Sequence, residues 1–297
     1  MKGDTHEVEY GECVSDRSLT DIIAQLERAL DEVGAHLHVN PSSRAYRWLE
    51  SLRRLQNTDR RSVLQMMIPD LLRKSFKHQF RDSFRALVDA RMFIEIIEEL
   101  LGDLGKPELR DLLSGNLYPG DDSQSSRARD REFELFIAAL GRRSGLVTLL
   151  REPDIMFKTD RGAFSVAAKR LSSPGNVEKN LAKASKQIAT AGIPGLTVMD
   201  VSRILDPTGT LVTHWRNAPQ LVGGHLMAFI NHEHDRVLQQ ARSALVCGVV
   251  LRAVFPLVSE GFRFGTYEVW HAVNTSWGDT DLTNYLLEQL LKGSEGT

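Results

Sequence analysis

The sequence predicts an α/β protein in which a mixed sheet flanked by helices follows an all-helical N-terminal domain. Three observations lead there. Residues 18–115 carry apolar side chains at the three- and four-residue spacing of amphipathic helices. After a polar stretch, Tyr118-Pro119-Gly120-Asp121-Asp122-Ser123-Gln124-Ser125-Ser126, short apolar runs alternate with helical ones, the order of an α/β unit. Hydrophobic residues make up 42% of the 297 residues, enough for a substantial core.

Residues 1–17 read as a flexible tail. The first sixteen are acidic and lack a basic stretch leading into an apolar one, which argues against a signal peptide. No apolar run is long enough to span a bilayer, so no transmembrane helix and no membrane partner are expected. The two cysteines, Cys13 in the tail and Cys247 in an apolar run, read as unpaired thiols in a reducing, cytoplasmic setting rather than as a disulfide or zinc site.

The helical domain spans 18–117. Ser18-Leu19-Thr20-Asp21 supplies capping residues ahead of Ile22, Ile23, Leu26 and Leu30. Pro41-Ser42-Ser43 opens a second helix with Tyr46, Trp48, Leu49 and Leu52. Asp59 caps a third through Val63, Leu64, Met67 and Ile68, disturbed by Pro69. Phe80 to Leu101 is the clearest helix, closed by Gly102 and Gly105, and a short one spans Pro107 to Leu113. The linker is 118–127, and the α/β domain is 128–297. Its expected order is helix 130–141, strand 146–157, strand 163–169, helix 176–191, strand 195–201 and helix 219–242. Strands over 244–258 and 266–273 and a final helix over 281–292 complete it.

Charge is uneven. Residues 127–190 hold 13 Lys/Arg against 7 Asp/Glu, a balance of +6, so a net charge of −2 leaves −8 on the rest. A basic region inside a mildly acidic chain suits an anionic ligand, or else reflects solvated helix faces.

The residues that carry chemistry lie in this basic region. On the helix around 130–141, Phe133, Phe136, Ile137 and Leu140 form the core stripe. Glu134 sits beside that stripe and shares a face with Ala138 and Gly141, small residues that let another element approach. Glu132 is the other acidic candidate there. Asp154 follows Pro153 at the start of Ile155-Met156-Phe157. Phe164-Ser165-Val166-Ala167-Ala168-Lys169 reads as a strand. Alternation puts Val166, Ala168 and Arg170 on one face, Ala167 and Lys169 on the other. Asn176 opens a helix with Lys179, Lys183 and Lys186 in a row and Gln187 beside them, at a helix N-terminus whose dipole favours phosphate.

Phe133-Glu134, Pro153-Asp154, the strand ending in Lys169, and a helix with Lys186-Gln187 resemble the PD-(D/E)XK superfamily, the restriction-endonuclease-like nucleases. The resemblance covers residues 128–202 and extends to the order helix, strand hairpin, helix, strand. It implies a restriction-endonuclease-like sheet and hydrolysis of DNA phosphodiester bonds with Mg2+ (or Mn2+). Glu134 and Asp154 would then be metal ligands, and Glu134, Asp154 and Lys169 catalytic residues. Arg170, Lys183, Lys186 and Gln187 would contact nucleic acid, and a homodimer would suit cutting both strands of a duplex. One position departs from the pattern: Ala167 stands two residues before the lysine, where the family has Asp or Glu, and a methyl group cannot ligate a metal. Three explanations stay open. Glu134 or Glu152 replaces the ligand, the domain binds nucleic acid without cutting, or the chain carries an inactivating substitution. Mg2+ commonly uses only one or two carboxylates besides waters, so a working site is the expectation carried forward. The alternative is an inactive nuclease-like domain that binds nucleic acid or protein.

Other clusters carry less. His225, His232, Glu233, His234 and Asp235 lack H-E-x-x-H spacing, and His214-Trp215-Arg216 offers one aromatic for base stacking, in an expected loop.

Overall fold

A computed structural model describes residues 11–15, 18–58, 74–115, 127–151, 154–207, 213–240, 245–258, 264–274 and 280–295. The helix expected from Asp59 and, apart from Arg127, the linker at 118–127 lie outside these residues. The helices are α1 (Leu19–His36), α2 (Arg44–Gln56), α3 (Lys74–Leu100), α4 (Lys106–Leu113), α5 (Arg127–Arg143), α6 (Val177–Ala191), one-turn α7 (Ser202–Leu205), α8 (Gly224–Gln240) and α9 (Thr280–Glu295). The strands are β1 (Gly11–Ser15), β2 (Val147–Arg151), β3 (Asp154–Thr159), β4 (Gly162–Arg170), β5 (Gly195–Asp200), β6 (Thr213–His214), β7 (Val246–Val258) and β8 (Phe264–Asn274).

The strands form one mixed sheet in the order β1-β8-β7-β5-β4-β3-β2, with β6 pairing β7. β2, β3 and β4 form an antiparallel meander. β4 and β5 are parallel, as are β5 and β7, and β7 returns antiparallel into β8. The α/β class and a sheet flanked by helices are therefore as the sequence predicts. One expected strand, 146–157, is two: β2 and β3 pair with Arg151 opposite Asp154. Pro153, which has no N–H to give a ladder, lies between them in sequence.

Helices cover both faces. Leu26, Trp48, Phe93, Leu112, Phe133, Phe136 and Leu286 share one hydrophobic core with Val166, Val198 and Val250 of the sheet. The N-terminal helices are thus a layer on the sheet, and one core runs across the expected boundary at 118–127. On the other face, α6 and α8 pack Leu181, Ile188 and Leu226 against Ala167, Met199 and Val249. Ser18 caps α1 by accepting the N–H of Asp21 at 3.1 Å, as its position predicts. Asn176 makes no such side-chain bond for α6, which is entered instead through the 3-10 turn Pro174–Asn176.

Residues 11–15, expected to lie in a tail, are an edge strand whose Gly11 stands opposite Trp270. The outer edge of β8 offers unpaired backbone groups, and tertiary pairing overrides a segment with weak intrinsic strand signal. Among the described residues no helix is long and apolar enough to cross a membrane.

Gly141 shows how closely α5 meets the sheet. A Cβ there would lie 2.2 Å from the ring of Phe157 on β3, which is fully buried. Helix propensity favours Ala over Gly by roughly 1 kcal/mol. Overpacking costs about 1–3 kcal/mol, and a ring in a filled core cannot retreat. Gly141→Ala is therefore expected to lower the urea midpoint. A midpoint equal to or above the parent's would contradict this packing.

Candidate functional site

The end of β4 and the start of β3 place their charged residues together. Pairing of Ile155 with Val166 sets Asp154 opposite Ala167, so Asp154, Ala167 and Lys169 occupy one face. Lys169 Nζ donates to Asp154 Oδ2 at 2.6 Å and to the carbonyl of Ala168 at 3.0 Å. The main-chain N–H of Ala168 donates to the same carboxylate oxygen at 2.9 Å. From α6, Gln187 Nε2 donates to Asp154 Oδ1 at 3.3 Å. Both charged side chains are nearly sequestered, Asp154 9% and Lys169 10% exposed.

Glu134 approaches from α5. Burial pushes its carboxyl above the usual glutamate range and the nearby Asp154 carboxylate pushes it further, while Arg131 and Lys169 pull it back. Arg131 Nη1 donates to Glu134 Oε2 at 3.0 Å. Two carboxylates near one another and beside a lysine are the kind of oxygen donors that Mg2+ takes, so Asp154 and Glu134 are the residues that would hold such an ion. Among the described residues no group of three or more His, Cys, Asp or Glu side chains is arranged to hold a metal.

Ala167 is fully buried, packed in the core under α6. Glu152 lies outside the described residues. Lys179, Lys183 and Lys186 are exposed in a row on α6, and Gln187 is half-buried beside them. His232 is exposed and pairs with buried Glu233 at 2.7 Å. Cys247 is buried, with Sγ 4.0 Å from the carbonyl oxygen of Leu245, and the side chain of Cys13 is not described.

Arg170 departs from its expected place on the nucleic-acid surface. Its side chain is 8% exposed and points to the opposite face from Lys169, as alternation along β4 requires. There it meets Glu132 at 3.2 Å, Asp89 at 3.5 Å and Asp200 at 3.4 Å. Glu132 is correspondingly turned into this interior, where Arg44 of α2 reaches it at 3.1 Å. Arg129 and Arg85 close on Asp89 at 3.0 Å and 3.1 Å. Across the sheet the register runs Arg170, Asp200, Arg252 in one row, and Arg252 continues to Glu268. Alternating charges thus join β4, β5, β7 and β8 beneath α2, α3 and α5.

Sequence reasoning did not identify this network. Its signal was present in Arg252 and Glu268, charged residues at inward positions of otherwise apolar strands. Arg131 was also missed, although its three-residue spacing from Glu134 is that of a helical ion pair.

No protein-family model matches the chain, and no curated protein shows significant sequence similarity to it.

Proposed function

We propose that the protein is a Mg2+-dependent nuclease of the PD-(D/E)XK type that hydrolyses DNA phosphodiester bonds. The observation that carries this reading is the meeting of Asp154 and Lys169 at 2.6 Å from two strands, with Glu134 close enough to feel Asp154's charge. The order α5, β2, β3, β4, α6, β5 supports it, since it contains the helix, strand hairpin, helix and strand of the family resemblance with one strand added before the hairpin.

A cation held by Asp154 and Glu134 would polarise the scissile phosphate and acidify the attacking water. Lys169 offsets charge that develops on the phosphate and orients the water. Gln187 and the Ala168 N–H fix the Asp154 carboxylate so that one geometry is kept. Lys183 and Lys186, exposed on α6 near Gln187, hold the sugar–phosphate backbone without reading bases.

The buried methyl of Ala167 favours a second reading, a domain that binds nucleic acid without cutting it. Incubation of plasmid and single-stranded DNA with Mn2+ separates the two. Cleavage abolished by chelator supports the nuclease. Salt-sensitive DNA binding with no cleavage, and cleavage that appears only in Ala167→Glu, supports the second reading.

A further inference from the structure

We propose that Thr197 is a positioning residue of the cation site, whose hydroxyl accepts a hydrogen bond from a cation-coordinated water on the side where Ala167 offers no carboxylate. The inference rests on the nuclease reading above and adds a residue from β5 to it.

The sheet places Thr197 in line with the site. Asp154 stands opposite Ala167, one step from the antiparallel pair Ile155–Val166, and Ala167 is the parallel partner of Thr197. Residues opposite one another across strands share a face. Asp154, Ala167 and Thr197 therefore form one row, with the smallest side chain in the middle and Lys169 two residues along β4 on the same face. A carboxylate at 167 would stand between the other two.

The chemistry of Thr197 singles it out. Its side chain is fully buried, and Oγ1 has no hydrogen-bond partner among the described residues. Its surroundings on this face are apolar: Ala167, Met199 and Val249 belong to the core under α6. A buried hydroxyl without a partner is costly, and valine would fill the same volume without that cost. The residue that carries this unpaired oxygen belongs to the row that leads to Asp154. A coordinated water is a strong donor, so a neutral acceptor suits it, whereas a hydroxyl is a weak direct ligand. Outer contacts of this kind orient the atoms around a metal without binding it themselves.

Titration calorimetry of Mn2+ into the full chain tests this, with thermal melts taken in the presence and absence of Mn2+. Thr197→Val is expected to bind Mn2+ about tenfold more weakly. Its metal-free melting temperature should equal or exceed the parent's, because the unpaired hydroxyl is gone. Thr197→Ser, which keeps the hydroxyl, is expected to bind within about twofold of the parent. Parental affinity in Thr197→Val, with binding lost in Asp154→Asn, overturns the role of Thr197 alone. Equal weakening in the Val and Ser variants assigns the effect to packing and likewise overturns it. A parent that binds no Mn2+ overturns the nuclease reading and this inference with it.

Discussion

Asp154→Asn is expected to slow Mn2+-dependent strand cleavage by about 10³-fold while leaving the protein folded. Asparagine has nearly the same shape and keeps an oxygen to accept the Ala168 N–H, which the native carboxylate accepts at 2.9 Å. It lacks the charge that pairs with Lys169 and that would hold a cation in the proposed site. Metal stabilisation of a phosphoryl transition state is worth several kcal/mol, and each ~1.4 kcal/mol is a factor of ten in rate. Lys169→Ala removes the counter-charge from the other side of the same contact, with an expected loss of about 10²–10³-fold. The rates are read on linear and supercoiled DNA in single-turnover conditions, with circular dichroism as the check on folding. Cleavage at the parental rate in either variant would remove that residue from the site. Loss in both, with unchanged DNA retention in a gel shift, places the defect in chemistry rather than in binding.

The largest stability effect is expected from Asp89→Asn. Three guanidinium groups converge on this one carboxylate: Arg129 at 3.0 Å, Arg85 at 3.1 Å and Arg170 at 3.5 Å. Asp89 is fully buried, so removing its charge leaves those cations poorly compensated in a low-dielectric interior. Breaking a buried ion pair from one side costs about 3–5 kcal/mol. Urea unfolding should show a lower midpoint at unchanged slope. A shift below about 1 kcal/mol, the scale of an exposed pair, would mean that the arginines do not depend on Asp89.

The same carboxylate sets an acid limit. Burial alone would raise the Asp89 carboxyl, but Arg85, Arg129, Arg170 and Arg44 overcome this and hold it well below the usual aspartate range. Burial also opposes ionisation of Asp200, which Arg170 and Arg252 pull below its ordinary value. A depressed folded pKa contributes stability that is fully present above the unfolded value and lost as pH falls through the folded one. The parent should therefore lose stability steeply in acid below the ordinary aspartate range. Asp89→Asn, which has already lost its share, should lose less over that interval.

Local patterns in the sequence were enough to place most helices and strands. The α5 stripe of Phe133, Phe136, Ile137 and Leu140 reads directly as helix because its period is 3.6, and the strand expected over 163–169 runs one residue past Lys169 to Arg170. Asp154 and Lys169 could be singled out because each sits at or next to a strand end, and Glu134 and Gln187 because each lies beside a patterned row of its helix, the apolar stripe of α5 and the lysine row of α6. What was not legible depends on contacts between distant segments. Arg170 looked like part of a basic surface because sequence shows charge but not depth, and its partners Asp89, Glu132 and Asp200 come from three other elements. Alternation along β4 already turned Arg170 away from Lys169, so its inward course was available from periodicity alone. Thr197 gave no signal, since a threonine in a strand is ordinary and its unpaired oxygen appears only once α6 covers it.

The pairing of β1 with β8 bears on how the chain reaches this state. Gly11 lies opposite Trp270, so this edge strand leaves the ribosome long before the strand it pairs with. Synthesis at about 5–20 residues per second imposes a delay of many seconds before that edge can close. Until then the flank of β7 that β8 will cover has no partner, and the emerging polypeptide carries open strand edges. Placing the β1 segment directly after β8 in sequence would let those strands meet early, and refolding of such a rearranged chain should be faster.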